Sequence, residues 1–206
     1  MTATKHYDHN ETKRKICVYS GSFNPIHNGH IALAEYLIDC RIVDEVWVVI
    51  SPQNPLKPAN ELIDDTLRLK MAKMAFEGKS GIKVSDVEFY LPKPNYTIDT
   101  LNFLQSQYSK LNFCLLIGED NIAAFHKWKN SEEILQKYPV IVYPRHTVYN
   151  SRYNKSSYRN MQFIDAPIIN ISSTDIRNKI KQNLSISGLL PESVIDFIYQ
   201  NRLYEA

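Results

Sequence analysis

The chain has 206 residues, 44% of them hydrophobic and 22% charged, with a formal net charge of +2. This ordinary globular balance excludes a disordered tail protein, a collagen and a coiled coil, and it confines any phosphate-binding surface to a local patch. The longest apolar run, Val46–Ile50, is strand length, well short of the ~18 residues of a membrane span. The first fifteen residues are polar, mixed in charge and lack an apolar core, so they are not a signal peptide. Residues 1–14 are expected to be a disordered extension before one domain over 15–206, with C-terminal helices from about residue 173. Cys17, Cys40 and Cys114 are widely spaced in apolar surroundings, with no C-x-x-C pair; they read as buried reduced thiols of a cytoplasmic protein.

In chain order, Lys15–Ser20 is a short β-branched run and predicts a strand, closed by a turn cluster at Gly21-Ser22-Phe23-Asn24-Pro25. Apolar residues recur at helical spacing from His30 to Cys40. Glu45–Ile50 is a fully apolar strand, the pattern of a sheet covered on both faces. Ser51–Asn60 carries three prolines and reads as a loop; Ile63–Phe76 predicts an amphipathic helix with Leu67, Met71 and Met74 inward. Ile82–Phe89 reads as extended, and Thr97–Tyr108 as a helix burying Ile98, Leu101, Leu104 and Tyr108. Phe113–Ile117 is a buried strand, followed by a short helix at Ser131–Gln136 and the strand Val140–Tyr143. Tyr149–Asn160 is an irregular polar loop, and Ser173–Lys181 and Glu192–Gln200 are the last helices. Strands alternating with helices predict an α/β, Rossmann-like open parallel sheet with helices on both faces, plus a small C-terminal helical part. Ligands of such a sheet sit at the carboxyl ends of its strands.

The loop after the first strand therefore matters most. Gly21 and Gly29 permit close backbone approach, and the helix start that follows offers free N–H groups and a positive dipole end. His27 and His30 flank Gly29 and can both face an anion held there. A metal pair would need a third ligand nearby, and none is placed; the loop matches neither the dinucleotide fingerprint nor the P-loop. A strand-to-helix turn with incidental histidines stays open on spacing alone. A second constellation is Ile171-Ser172-Ser173-Thr174-Asp175-Ile176-Arg177, where Ser172 or Ser173 caps a helix and Asp175 partly completes a capping box. Capping alone would explain it, but hydroxyls, a helix start and Arg177 also make a phosphate clamp. Two such helix starts on one sheet suggest a triphosphate held between them.

Together, G-S-F-N-P-x-H-x-G-H and I-S-S-T-x-I-R resemble the H-x-G-H nucleotidyltransferase superfamily. More narrowly, the chain resembles bacterial nicotinate-nucleotide adenylyltransferases over about Lys15 to Tyr204, with further matches at 95–101, 117–120, Trp128, Pro144-Arg145 and 189–204. The resemblance implies that AMP passes from ATP to nicotinate mononucleotide, with Mg²⁺ held mainly by the triphosphate and no dedicated metal ligands. It implies that His27 and His30 contact the ATP phosphates, that Ser22 and Phe23 bring backbone N–H groups, and that Ser173, Thr174 and Arg177 hold the β/γ end. Gly118 and Asp120 would face the nucleotide, Asp120 as a ribose-contacting acid. Thr97 at its helix start can receive a carboxylate, Trp128 offers a flat face to a pyridinium ring, and Arg145 can meet a phosphate. Core packing for Trp128 and a plain strand-end turn for Gly118 and Asp120 remain open at this point. Asn24, Lys57 and Tyr96 complete the expected nicotinate-mononucleotide set, and His27, His30, Lys57 and Arg177 are the expected catalytic residues.

Two departures stand out: Leu56 replaces the histidine common before the equivalent lysine, and Asn24 stands where many relatives carry Asp. Lys70-Met71-Ala72-Lys73-Met74 resembles the K-M-S-K-S loop of a synthetase, but it lies inside a helical pattern. The basic, Tyr-rich stretch Tyr143–Arg159 reads as a solvated loop over the cleft rather than a nucleic-acid surface. The expected partners are thus ATP and nicotinate mononucleotide, with no nucleic acid and no membrane, and with a homo-oligomer left open. A different acceptor within the superfamily, or a regulator that only binds nucleotide, is the competing reading.

Overall fold

The computed structural model describes residues 13–53, 62–145, 158 and 160–205. Residues 1–12 of the expected 1–14 extension, the loop carrying Leu56 and Lys57, and most of the Tyr-rich stretch lie outside the described residues.

The chain runs β1 (Lys15–Gly21), α1 (Asn28–Asp39), β2 (Glu45–Ile50), α2 (Asp65–Ala75), β3 (Ile82–Ser85), α3 (Thr97–Gln107), β4 (Asn112–Gly118), α4 (Ile122–Phe125), α5 (Ser131–Lys137), β5 (Val140–Tyr143), β6 (Met161–Phe163), α6 (Ser173–Lys181) and α7 (Glu192–Gln200). The six strands form one parallel sheet in the order β3-β2-β1-β4-β5-β6. This is the α/β, Rossmann-like sheet that the alternation predicts.

Why the strands are apolar throughout is visible in the two cores. Successive strand residues point to opposite faces. Cys17 and Tyr19 of β1, with Val46, Val48 and Ile50 of β2, pack on one face against α1, α2, α6 and α7. Ile16 and Val18, with Trp47 and Val49, pack on the other face against α3, α4 and α5. Both faces are covered, so the middle of a central strand is apolar, and a polar residue near its end, Ser20, is paired, donating its hydroxyl to Glu88 at 2.9 Å. The order reverses between β1 and β4, where the chain passes from one face to the other. That reversal opens a crevice beyond the carboxyl ends of the two strands.

Several expectations change in detail. Helix α1 begins at Asn28, two residues before its first expected residue, because His27 is its extended N-cap. The segment expected to stay extended to Phe89 leaves the sheet after Ser85, whose hydroxyl accepts from the Val87 N–H at 3.3 Å, and turns into a short 3₁₀ helix, Val87–Tyr90. Cys40 is exposed at the C-cap of α1, whereas Cys17 and Cys114 are buried. Tyr108 is also exposed: it is the C-cap of α3, and its ring sits at the edge of the core, against Trp47 at 5.0 Å and Phe113 at 6.4 Å. Strand β6 is three residues long, too short to leave a periodic signal.

Candidate active site

A cleft of about 480 Å³ lies at the topological switch point. It has the size of an ordinary small-molecule site. Its lining brings together Gly21, Ser22, Phe23, Asn24, His27 and His30 with Thr97, Gly118, Asp120, Trp128 and Arg145, and with Ser173, Thr174 and Arg177. These residues come from five separate stretches of chain, and only the crossing of the strands makes them neighbours.

The floor is the loop from β1 to α1. Phe23 sits at φ 45°, a left-handed conformation unusual for a non-glycine residue. Its ring is buried edge-on against Tyr19 at 5.3 Å and against His30 at 5.0 Å. His27 and His30 stack at 3.6 Å between ring centres. The backbone N–H of His27 donates to Nδ1 of His30 at 3.2 Å, which fixes that ring at the helix start. Gly29 lines a smaller adjoining recess of about 70 Å³ with Pro167, Ile168 and Ile169. A Cβ at Gly29 would lie 3.1 Å from the His27 ring, so this position keeps the histidine in place.

One wall is the start of α6. Ser172 is the N-cap: its Oγ accepts from the Asp175 N–H at 3.0 Å and donates to the Asp175 carboxylate at 2.6 Å. This settles which serine caps. Ser173 donates its hydroxyl to the Pro25 carbonyl at 2.9 Å, and Arg177 Nη1 donates to the Asn24 carbonyl at 2.9 Å. The two helix starts are therefore tied together through residues 24 and 25. A hydroxyl has a single proton to give, and Ser173 has spent it on Pro25. Thr174 accepts from Arg177 Nη2 at 3.4 Å and keeps its own proton. Asn24 is buried, and its side-chain oxygen accepts from the Tyr204 hydroxyl at 2.9 Å.

The opposite wall is the end of β4 with the starts of α3 and α4. Gly118 is crowded: a Cβ there would lie 2.3 Å from Oδ1 of Asp120 and 3.0 Å from Nε of Arg145. Arg145 Nε is 3.6 Å from Oδ1 of Asp120, and its Nη2 donates to the Tyr143 hydroxyl at 2.6 Å. Thr97 is the first residue of α3, with Tyr96 as N-cap. Tyr96 does not line the cleft; its ring lies under Lys129 Nζ at 4.6 Å, and its carbonyl accepts from the Asp99 and Thr100 N–H groups. Lys57 is outside the described residues.

The electrostatics of the floor are set by burial and by the Arg145 charge. Burial, helped by the Arg145 charge, pushes the His27 imidazole from its ordinary 6.5 down to about 3, so it is neutral at pH 7. Three buried polar atoms on the lining, Oγ of Ser22, Nδ1 of His27 and Nε1 of Trp128, have no hydrogen-bond partner among the described residues. Buried polar groups are almost always satisfied, so a bound molecule is the natural partner. Asp120 is the one carboxylate on the lining among the described residues, and no cluster of three or more His, Cys, Asp or Glu side chains is placed there to hold a metal.

Sequence reasoning passed over Tyr19, Tyr143 and Asn121 on the lining, and Arg68 beneath it. Arg68 did leave a signal. It stands three, four and seven residues before Met71, Ala72 and Ala75, all buried, so it is a charge on a core face.

The chain matches a family model described as cytidylyltransferase-like over residues 18–179. It is 43% identical over 191 residues to a probable nicotinate-nucleotide adenylyltransferase of Flavobacterium johnsoniae, covering 93% of this chain and 99% of that one. A protein of the same description from Caldicellulosiruptor saccharolyticus is 35% identical over 197 residues, covering 93% and 99%. Among solved structures, the Plasmodium falciparum nicotinic acid mononucleotide adenylyltransferase complexed with NaAD superposes with a TM-score of 0.77 at 22% identity, covering 93% of this chain and 97% of that one. At that identity the likeness speaks for the fold.

Proposed function

The chain belongs to the cytidylyltransferase-like family, with relatives of nicotinate-nucleotide adenylyltransferase description along nearly its whole length, and from this we infer its reaction. It transfers AMP from ATP to nicotinate mononucleotide, giving deamido-NAD and pyrophosphate, a step of NAD biosynthesis. An oxygen of the mononucleotide phosphate attacks the α-phosphorus of ATP. The bond from that phosphorus to the bridging oxygen breaks, and pyrophosphate leaves with the electron pair.

The cleft suits this chemistry. A phosphate monoester has its second pKa near ~6 and is already ionised at neutral pH, so no general base is required. The carboxylate on the lining among the described residues, Asp120, lies 3.6 Å from the Arg145 guanidinium. What the reaction needs is alignment and stabilisation of charge on the phosphoryl oxygens. The observation that carries the proposal is the set of unpartnered polar atoms, Ser22 Oγ, His27 Nδ1 and Trp128 Nε1, on residues that line one cleft between two helix N-termini.

The roles follow from position. The apolar recess beside Gly29, with Ile168 and Ile169, takes the adenine ring. His27 and His30 meet the α-phosphate region, and His30 supplies charge stabilisation in the transition state. The Phe23 N–H and the Ser22 hydroxyl bind phosphate oxygens. Thr174, Arg177 and the N–H groups at the start of α6 hold the β/γ end, while Ser173 serves by fixing Pro25 rather than by donating to phosphate. Thr97 and the α3 start receive the nicotinate carboxylate, Trp128 lies against the pyridinium ring, Arg145 meets a phosphate and Asp120 a ribose hydroxyl. Tyr96 acts through the placement of α3, and Asn24 through its carbonyl and its tie to Tyr204. Lys57 retains its assigned phosphate contact on sequence grounds.

A Mg²⁺ ion would take its ligands from the triphosphate and water, and no group of three or more His, Cys, Asp or Glu among the described residues competes to hold it; Mg²⁺ typically keeps such a sparse protein shell. Carried by the triphosphate, it would supply charge neutralisation on the leaving pyrophosphate. The test is product formation by the purified chain with Mg-ATP and either nicotinate or nicotinamide mononucleotide at equal concentration. Preference for the acid form supports the reading and the Thr97 site. Turnover of neither, with ATP still bound, moves the function to another acceptor or to regulation.

A further inference from the structure

Arg68 is 1% exposed, the largest fully buried side chain among the described residues, and the mechanism above does not use it. It projects from α2 toward the floor of the cleft. Nη1 donates to the carbonyls of Ser22 at 2.6 Å and Ser51 at 2.8 Å, Nη2 to the carbonyl of Pro52 at 3.2 Å, and Nε to the carbonyl of Ile63 at 3.1 Å. Four of its five N–H groups are thus spent on backbone carbonyls. No carboxylate pairs with it among the described residues. The nearby Asp64 caps α2 through the Thr66 and Leu67 N–H groups, and Asp65 faces Lys93 at 3.7 Å.

Such an arrangement is expensive for stability alone, since a buried charge with no carboxylate in contact carries a desolvation cost that the more distant Asp64 and Asp65 offset only in part. Its geometry suggests a reason. The Ser22–Phe23 peptide is trans, so the Ser22 C=O and the Phe23 N–H point in opposite directions. Drawing the carbonyl down onto Arg68 turns the Phe23 N–H up toward the cleft, and among the described residues no acceptor meets that N–H. The same contact supports the left-handed φ of Phe23.

We propose that Arg68 is a positioning residue for nucleotide transfer: from beneath the loop its guanidinium sets the Ser22–Phe23 peptide so that the Phe23 N–H faces the phosphates, and its charge underlies the anion site. The same grip on Ser51 and Pro52 joins the end of β2 to this loop, so both phosphate-side loops share one anchor. The proposal rests on the adenylyltransferase reading of the cleft.

The test compares wild type with Arg68→Met and Arg68→Lys by steady-state kinetics, far below the melting temperature of each protein. Tripolyphosphate binding by calorimetry is measured beside the kinetics. Turnover by wild type checks the adenylyltransferase reading separately. Arg68→Met should lose about ten- to a hundredfold in kcat and bind tripolyphosphate more weakly, because one preorganised donor is misaimed. Arg68→Lys should recover part of both, having the charge without the fork. Constants within twofold of wild type in a folded Arg68→Met, with only its melting point lowered, would make Arg68 a scaffold residue and overturn the proposal. Should neither variant fold, wild type decides: the Phe23 amide resonance should shift on addition of tripolyphosphate, and an unmoved resonance refutes the role.

Discussion

Acid should destabilise this protein through His27 more than through an ordinary surface histidine. The ring is buried beside Arg145 and against His30, and its pKa falls from 6.5 to about 3. The unfolded chain therefore binds a proton at this residue between pH 6.5 and about 3, while the native protein does not. Stability rises with pH wherever the unfolded state holds more protons, so His27's contribution is complete above about pH 6.5 and is lost as pH falls through that window. One pKa unit corresponds to about 1.4 kcal/mol, so the two units from pH 6.5 to 4.5 remove roughly 2–3 kcal/mol. For a chain of this length that corresponds to a melting point lower by very roughly 5–10 °C. The assay is thermal unfolding from pH 7.5 to 4.5 of wild type and His27→Asn, which removes the titrating ring. Groups common to both proteins cancel in the difference. The wild-type melting point should fall more steeply below pH 6.5, and parallel curves would refute the idea that His27 is held neutral by burial.

Other outcomes follow from single contacts. His30→Ala should lower kcat by two or more powers of ten while leaving ATP affinity within a few-fold, as expected for a group that acts mainly in the transition state; steady-state kinetics with equilibrium binding checks both, and near-normal turnover would remove His30 from catalysis. Gly118→Ala places a Cβ 2.3 Å from Asp120 Oδ1 and 3.0 Å from Arg145 Nε, so both side chains must swing. We expect kcat/KM to drop roughly tenfold or more while the protein stays folded, and unchanged kinetics would show that Asp120 and Arg145 need no fixed placement. Tyr204→Phe removes the hydroxyl that donates to Asn24 Oδ1 and should lower stability by about 1 kcal/mol in chemical denaturation. An unaltered midpoint would mean that the C-terminus does not brace the loop.

The local pattern determined a great deal by itself. Apolar runs such as Glu45–Ile50 and Phe113–Ile117 specify strands covered on both faces, because a buried parallel strand admits no polar alternation. Periods of three and four residues specify the helices, and the strand–helix alternation specifies the winding. The spacing of His27, Gly29 and His30 places both rings at one helix start, since three residues make nearly one helical turn.

Which atoms remain available to a ligand was decided only by the tertiary structure. Ser173 and Thr174 are adjacent hydroxyls in one motif, yet Ser173 gives its proton to Pro25, 148 residues earlier, and Thr174 does not. Tyr204 reaches Asn24 across 180 residues, and Tyr96 turns its ring away from the cleft that Thr97 lines. Periodicity says which face of an element is buried, and little about what approaches that face from another element. Arg68 shows the division within one residue. Its place on a core face is written in the spacing of α2, but the four carbonyls that make a buried charge tolerable, and aim a neighbouring N–H outward, come together only when the loops after β1 and β2 close over it.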